Sequence, residues 1–236
     1  MKVKTKAKWL LKFKKMNKIK IDIVSDLVCP WCYIGQKRLN DALAQSDYKA
    51  EISWKPFQLH PELQKKGMEK NAFLIQKFGP EGANLFDQIK KVADSESLEM
   101  NPDKITNIPN TVDVHRLMWY AKKQHKDLKL AISLFEAYFT AGKDFSNPET
   151  LLDLAEACGL SRTETEVFLA SEEGRTEVLA EEKMYREAGI QAVPTFIIND
   201  KYMIQGAQMP AKFLEAFKQF GLENQDPQFM CTGDNC

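Results

Sequence analysis

The chain has 236 residues, enough for one large domain or for a domain that carries an insertion. Its hydrophobic content of 44% and charged content of 28% are those of an ordinary globular protein. The formal net charge is zero, but the first eighteen residues carry eight lysines and no acid, which leaves 25 Lys and Arg against 33 Asp and Glu. This mildly acidic body argues against nucleic acid as a partner, because phosphate binding needs a basic face.

Residues 1–17 are predicted to be a basic N-terminal extension. Their longest apolar run is Trp9-Leu10-Leu11, whereas a secretory signal needs about 7–15 apolar residues and a membrane-spanning helix about 20. The alternative left open is a basic amphipathic anchor with Trp9, Leu10 and Phe13 on one side. Because no export signal is found, we expect a reducing, cytoplasmic location, where cysteine pairs are more often catalytic or metal-binding than structural disulfides.

Residues 18–61 are predicted to form a strand, a helix and a second strand. Apolar and polar residues alternate over 18–25 and again over 50–57, which is typical of strands. Between them, a helix is expected from Cys29 to about Ala44, with Pro30 in its first turn, where a missing N–H costs nothing. The sequence Cys29-Pro30-Trp31-Cys32 therefore opens a helix directly after a strand.

Residues 62–188 are predicted to be an all-helical insertion, with no convincing strand. Apolar periodicity and Gly or Pro breaks indicate helices at 72–78, 81–95, 111–123, 127–140, 148–157 and 164–189. Ser161 and Glu164 form a plausible capping box. Within this region Cys158 is interpreted as a buried core thiol, and His115 as a packing or capping residue.

Residues 189–221 are predicted to form the second part of the α/β fold, a hairpin followed by a helix. A hairpin is expected from strands at 195–198 and 202–204 around the turn Asn199-Asp200. A closing helix follows over 209–220, with Gly221 as its stop. The remaining 222–236 form a polar tail that carries a second cysteine pair, Cys231 and Cys236.

The first cysteine pair, Cys29 and Cys32, could bind a metal, form a structural disulfide or exchange electrons. A four-cysteine zinc site with Cys231 and Cys236 stays an alternative, but zinc-binding pairs usually lie in tight turns and not at a helix start; we assign no metal site. A thiolate at a helix N-terminus is stabilised by free backbone N–H groups and the helix dipole. We therefore expect Cys29 to be exposed and to attack substrates, and the more buried Cys32 to resolve the mixed disulfide.

A second element lies in Val193-Pro194-Thr195, where a proline directly precedes an apolar strand. A proline there could be cis, and a cis turn beside the cysteines would expose the backbone of Val193 for pairing with a peptide. The alternative is an ordinary proline at the start of a strand. The predicted substrate-binding residues are those of this turn, together with Trp31 and His60.

Several segments carry a family resemblance. The runs 25–35, 54–57, 193–196 and 205–208 resemble, in order and spacing, the DsbA-like thioredoxin-fold oxidoreductases of the FrnE type. Asp26 and Pro30 belong to the first of these runs. The resemblance implies an α/β thioredoxin fold interrupted by a helical domain, with Cys29 as nucleophile, Cys32 as resolving thiol and Pro194 in cis.

The expected function is thiol–disulfide exchange on disulfide-containing or dithiol proteins, without a tightly bound cofactor. Glutathione or a thioredoxin-type reductant is the expected redox partner. The related 2-hydroxychromene-2-carboxylate isomerases and kappa-class glutathione transferases typically have serine at the position of Cys29, so a glutathione-dependent isomerase or transferase is an alternative, as is a zinc-binding interaction module. For Cys231 and Cys236 we expect a disulfide shuttle to Cys29 and Cys32, with bystander thiols or a metal-binding tail as alternatives.

Overall fold

The computed structural model describes residues 17–223, and side chains within 18–219. Its main sheet has four strands: β1 (Asn17–Ser25), β2 (Tyr48–Pro56), β5 (Thr195–Ile198) and β6 (Tyr202–Gln205). Their order is β2-β1-β5-β6. β1 is parallel to β2 and antiparallel to β5, and β5 is antiparallel to β6. The predicted α/β fold is confirmed, and it brings the end of β1 beside the start of β5.

Side chains of β1 pack into apolar clusters on both faces of the sheet. Ile19, Ile21 and Ile23 belong to the main core, on which α1 (Pro30–Ala44) and α9 (Pro210–Glu223) pack together. Val24 points to the other face and packs in a smaller cluster with Phe57, Tyr185 and Ile190. A strand buried on both faces explains why β1 lies in the interior of the sheet.

The chain between β2 and β5 is mainly helical. Its helices are α2 (Lys70–Phe78), α3 (Leu85–Ser95), α4 (Val112–Lys123), α5 (Asp127–Phe139), α6 (Pro148–Ala157), α7 (Arg162–Ala170) and α8 (Arg175–Glu187). Short 3-10 turns occupy Pro80–Asn84 and Pro102–Lys104. α5 and α8 both pack against β2. The insertion is thereby attached to the edge of the sheet.

The prediction that the insertion contains no strand is wrong. β3 (Met68–Glu69) pairs antiparallel with β4 (Asn107–Ile108), and the Lys70 N–H donates to the Thr106 carbonyl just beyond this ladder (2.9 Å). Two residues per strand are too few to produce a visible alternation of apolar and polar side chains.

The single helix predicted over 164–189 is also wrong, because the chain breaks between α7 and α8. Gly174 precedes α8 with φ +77°, a conformation that favours glycine. A Cβ at this position would lie 2.8 Å from the Trp119 ring. The predicted cap at Ser161 is present, since its side chain accepts from the Glu164 N–H.

The closing helix runs through Gly221 to Glu223, so the predicted stop at Gly221 is wrong. The hairpin turn is formed as predicted by Asn199 and Asp200, which have φ of 51° and 58°. Elsewhere the predicted helices and strands agree with the structure to within about two residues, apart from 81–95, where 80–84 is a 3-10 turn. The domain limits at 18, 62, 189 and 222 stay predictions.

Candidate active site at the CPWC motif

Cys29 is the N-cap residue of α1. Its backbone is extended (φ −85°, ψ 115°), and Pro30 occupies the first helical position. The Cys29 carbonyl accepts from the N–H groups of Cys32 (3.0 Å) and Tyr33 (3.2 Å), while the Cys29 N–H donates to the Asp26 carbonyl (3.1 Å). The Cys29 side chain therefore lies at the positive end of the helix dipole, where a thiolate is stabilised.

The turn before β5 lies against Cys29. The Val193–Pro194 peptide bond is cis, and the Cys29 Sγ is 3.9 Å from the Val193 carbonyl oxygen. The Pro194 carbonyl accepts from the Gly206 N–H (2.8 Å) at the end of β6. The structure thus brings the two predicted elements, the cysteine pair and the Val193-Pro194 turn, into contact.

Glycine at position 35 allows this approach. A Cβ on Gly35 would lie 2.9 Å from Pro194 Cγ and 3.2 Å from Phe196 Cζ. Three residues further along α1, Arg38 donates to the Ala207 carbonyl and to the Glu96 carboxylate. α1 therefore packs closely against Pro194, and Arg38 ties α1 to the segment after β6 and to the end of α3.

The prediction that Cys29 is exposed is wrong. Cys29 is 4% exposed and Cys32 is 1% exposed. Cys29 is covered because the Val193-Pro194 turn packs on it. Trp31 between them is 39% exposed, so the side chain that the motif presents to solvent is the tryptophan.

The buried Cys32 thiol has a shifted pKa. Burial raises the pKa of the Cys32 thiol well above its usual value, and the hydrogen bond and charge of Cys29 raise it further. The Ser25 hydroxyl and the Asp26 backbone lower the same pKa by less. The raised pKa favours the protonated form of Cys32, which can donate a hydrogen bond to the Cys29 sulfur.

Asp26 is a buried carboxylate that joins three segments around this site. Its Oδ2 accepts from the Leu59 N–H (2.7 Å) and from the Thr111 hydroxyl (3.3 Å). Its Oδ1 lies 3.5 Å from the Val28 N–H and 3.7 Å from His115 Nε2. Because Asp26 is fully buried, these contacts replace its water shell. They fix the loop before Cys29 to the helical insertion.

Two predicted substrate-binding residues have other contacts in this structure. The Thr195 side chain is buried and its hydroxyl donates to the Ala192 carbonyl (2.8 Å), so it stabilises the Pro194 turn from inside. His60 follows Leu59 directly; its ring meets Phe73 edge-on (4.5 Å between centroids), and its Nδ1 is 3.1 Å from Lys77 Nζ. His60 therefore lies beside the loop that Asp26 anchors.

The Lys77→Met substitution should raise the pKa of His60. Burial and the Lys77 charge lower this pKa, against smaller opposing effects of Asp26 and Glu62. Because burial is the larger cause, the pKa should stay below the usual value of about 6.5. The check is an NMR titration of the His60 ring, assigned with His60→Gln. Lys90→Met is the matched control, and an unchanged His60 pKa in Lys77→Met would contradict the prediction.

The depressed pKa of His60 also has a consequence for stability. Between the lowered folded pKa and the usual value of about 6.5, the unfolded chain binds the His60 proton more readily than the folded chain does. The contribution of His60 to the free energy of unfolding is therefore present above about pH 6.5. It is lost as the pH falls from there towards the folded pKa.

A cavity of about 390 Å³ lies behind the motif, between the end of β2, α4 and α8. Its walls include Ser25, Leu27, Trp54, His115 and Trp119. None of the predicted site residues lines it. The cavity is thus separate from the surface that Cys29, Trp31 and Pro194 form.

Within 17–223, no group of three or more His, Cys, Asp or Glu side chains is arranged to hold a metal ion. No helix in the same range is long and apolar enough to cross a membrane. Cys231, Cys236 and the lysine-rich leader lie outside the described residues. Cys158 is a buried thiol, 3.5 Å from the Ser133 hydroxyl, in agreement with its interpretation as a core residue.

Sequence reasoning missed the contributions of Ser25, Gly35, Arg38 and Thr111. Each acts through a contact with a residue distant in the chain or on another element. Gly35 has a weak signal, since glycine inside a predicted helix often marks close packing. His115 was expected to pack or cap, and its position beside Asp26 and the Phe57 carbonyl (3.2 Å) agrees with packing.

Comparisons with known proteins agree with this fold. The protein YwbO of Bacillus subtilis (strain 168) is 28% identical over 197 residues, which cover 80% of this chain and 90% of that protein. The crystal structure of a probable DsbA oxidoreductase from Streptomyces coelicolor has a TM-score of 0.81 at 28% identity, covering 92% of this chain and 96% of that one.

A more distant structure, the cytosolic disulfide reductase DsbM from Pseudomonas aeruginosa with GSH, has a TM-score of 0.61 at 15% identity and covers 86% of this chain and 99% of that one. At that identity it supports the fold alone. The family model for the DSBA-like thioredoxin domain matches residues 20–218, nearly all of the described chain. The chain therefore belongs to the DSBA-like thioredoxin domain family, whose members are generally oxidoreductases.

Proposed function

We propose that this protein is a thiol–disulfide oxidoreductase that acts on protein disulfides through Cys29 and Cys32. The observation that carries the proposal is the position of Cys29, which caps α1 and lies 3.9 Å from the Val193 carbonyl. The N-terminus of a helix favours a thiolate, and the Val193 backbone beside the sulfur is a place where an extended peptide could pair. A peptide that paired with Val193 would bring its disulfide to the Cys29 sulfur.

The reaction has two steps. The Cys29 thiolate attacks one sulfur of the substrate disulfide, forms a mixed disulfide and releases the other sulfur as a thiolate, which takes up a proton. Cys32 then attacks Cys29 and releases the second substrate sulfur. The protein loses two electrons, and the substrate gains them. With the flow of electrons reversed, the same pair oxidises dithiol proteins.

The exposed Trp31 side chain and the backbone of the Val193-Pro194 turn are proposed to contact the substrate, with His60 near the edge of the site. No tightly bound cofactor enters this mechanism. Glutathione or a thioredoxin-type protein is the proposed partner that restores the dithiol. The cytoplasm remains our prediction for the compartment.

Replacing Cys32 with serine should trap the substrate. Without Cys32, the mixed disulfide on Cys29 lacks its proposed resolving thiol and should accumulate, or be displaced only by a tail thiol. The measurement is non-reducing peptide mapping after incubation with a disulfide-bonded peptide. The double variant Cys29→Ser/Cys32→Ser is the control and should form no adduct.

An adduct found only on Cys158, or none at all, would contradict the proposed role of Cys29.

The same peptide maps test the proposed disulfide shuttle between the tail cysteines and Cys29. A disulfide from Cys29 to Cys231 or Cys236 in the Cys32→Ser variant would support exchange with the tail, and its absence would count against the shuttle. Zinc in the purified protein at one equivalent would favour the interaction module instead.

A further inference from the structure

Two side chains of α8, Glu182 and Arg186, bind Gln58, which lies just beyond the end of β2. The Gln58 N–H donates to Glu182 Oε1 (2.9 Å), and the Gln58 side-chain amide donates to Glu182 Oε2 (2.7 Å). The Gln58 carbonyl accepts from Arg186 Nη2 (2.6 Å), and Arg186 also donates to Glu182 Oε1. Both backbone polar groups of Gln58 are therefore bound by α8.

Glu182 is a buried carboxylate (4% exposed), and Gln58 is 3% exposed. A buried charge is costly unless it is paired and hydrogen-bonded, and an apolar contact could attach α8 to this segment without that cost. Four N–H donors converge on the Glu182 carboxylate, two from Gln58 and two from Arg186. Directed bonds of this kind fix both the position and the orientation of the segment. A part of the candidate site that must hold one geometry would explain their presence.

On one side, the segment around Gln58 holds the loop that carries Cys29. The N–H of Leu59, the next residue, donates to the buried Asp26 carboxylate (2.7 Å). The Asp26 carbonyl accepts in turn from the Cys29 N–H (3.1 Å). The position of Cys29 is therefore tied to the chain that follows β2.

On the other side, α8 leads to the Val193-Pro194 turn. Just beyond α8, the Ile190 N–H donates to the Tyr185 carbonyl (3.0 Å). Ile190 and Tyr185 pack with Phe57 in the small apolar cluster, and Val193 packs against the same cluster. The segment around Gln58 thus connects the two groups that meet at the candidate site, the turn and the Cys29 loop.

We propose that Glu182 is a positioning residue, which holds the Val193-Pro194 turn in the place relative to Cys29 that a bound peptide requires. This inference rests on the proposed function. A substrate peptide must meet two groups at once: the Val193 backbone, with which it pairs, and the Cys29 sulfur, which attacks its disulfide. A misplacement of about 1 Å can slow a reaction about a hundredfold. Glu182 acts through Gln58 and α8, and takes part in neither step of the exchange.

The test compares a disulfide that uses the turn with one that does not. The reduced full-length protein is mixed with a disulfide-bonded peptide or with cystamine, a small disulfide that has no peptide backbone to pair with Val193. Samples are quenched with acid, and loss of the free Cys29 thiol is located by peptide mapping. Glu182→Gln removes the charge and puts a donor where an acceptor stood. It should lower the second-order rate constant for the peptide about tenfold and leave that for cystamine within about twofold.

Glu181→Gln is the matched control. Glu181 precedes Glu182 on α8, and its carboxylate accepts from Lys55 Nζ of β2 (2.9 Å). Its replacement should leave both rate constants within about twofold. If Glu182→Gln does not fold, Arg186→Lys decides, because it keeps the charge beside Glu182 and loses the fork that also reaches the Gln58 carbonyl. Arg186→Lys should slow the peptide about threefold and leave cystamine unchanged.

A second measurement does not depend on activity. Amide hydrogen exchange reports how firmly the chain from Ile190 to Val193 is held. Exchange there should be about tenfold faster in Glu182→Gln than in the wild type, and unchanged in Glu181→Gln.

Wild-type rate constants and wild-type exchange in Glu182→Gln would overturn the proposal. So would equal slowing with the peptide and with cystamine together with a lower melting temperature, which indicates a general packing role. Failure of the proposed function looks different: Cys29 of the wild-type protein would then react with neither disulfide. In that case hydrogen exchange still decides whether Glu182 holds the turn.

Discussion

The Cys29→Ser variant should lose disulfide exchange by about a thousandfold or more, because a serine hydroxyl at this position is not ionised and cannot replace a thiolate nucleophile. The physical reason lies in the position of the residue. Cys29 is the N-cap residue of α1, and a helix N-terminus favours negative charge. The measurements are reduction of insulin and refolding of scrambled ribonuclease.

Cys158→Ser is the matched control for this variant. Cys158 is also a buried thiol (4% exposed), but it ends α6 and lies near the Ser133 hydroxyl. Its replacement should leave both rates unchanged. If Cys29→Ser kept exchange activity, the assignment of the nucleophile would be wrong. If that variant instead gained or kept a glutathione-dependent isomerase or transferase activity, the alternative chemistry on this fold would be favoured.

The Arg116→Ala variant should lose about 3–5 kcal/mol of stability, because its removal leaves several buried acceptors without a donor. Arg116 is 1% exposed. It donates to the carbonyls of Phe168 (3.0 Å), Ser171 (2.6 Å) and Glu173 (2.9 Å), and to the Asp113 carboxylate (2.8 Å). These carbonyls belong to the end of α7 and the turn that leads to α8. The guanidinium therefore satisfies a helix end that would otherwise be unpaired.

The measurement is urea unfolding of Arg116→Ala beside Arg162→Ala. Arg162 pairs with Glu149, Asp153 and Glu156, but all four side chains are at least one-third exposed. Pairs of this kind contribute roughly 0–1 kcal/mol, so the control should unfold close to the wild-type midpoint. Similar losses in the two variants would contradict the role of burial.

A second readout follows from Asp113. Burial would raise the pKa of this carboxyl, but Lys65 and Arg116 outweigh burial and lower it. Removing Arg116 should therefore raise the pKa of Asp113. Since a depressed carboxyl pKa stabilises the fold above its unfolded pKa, the Asp113 contribution is present at neutral pH. It should be lost as the pH falls through the folded value.

Much of the fold could be predicted because its determinants are local. The alternation over 18–25, the proline at position 30 and the turn at Asn199-Asp200 each act within a few residues of the chain, and the structure has the expected strand, helix start and hairpin there. Two of the failed predictions trace to a distant contact and to a very short element. The 164–189 helix is broken at Gly174, which packs against Trp119, and the β3–β4 ladder is two residues long.

By itself, the sequence determined which residues carry the candidate chemistry: two cysteines one helical turn apart at the start of a helix, and a proline before a distant apolar strand. Only the tertiary structure decided how they meet, since Cys29 and Val193 are 164 positions apart and no local spacing encodes that contact. It also decided that Cys29 is covered and that Asp26 joins the loop before Cys29 to the insertion. The periodicity of apolar residues in the sequence indicates whether a side chain is buried. Only the packing of the whole chain determines which residues it contacts there.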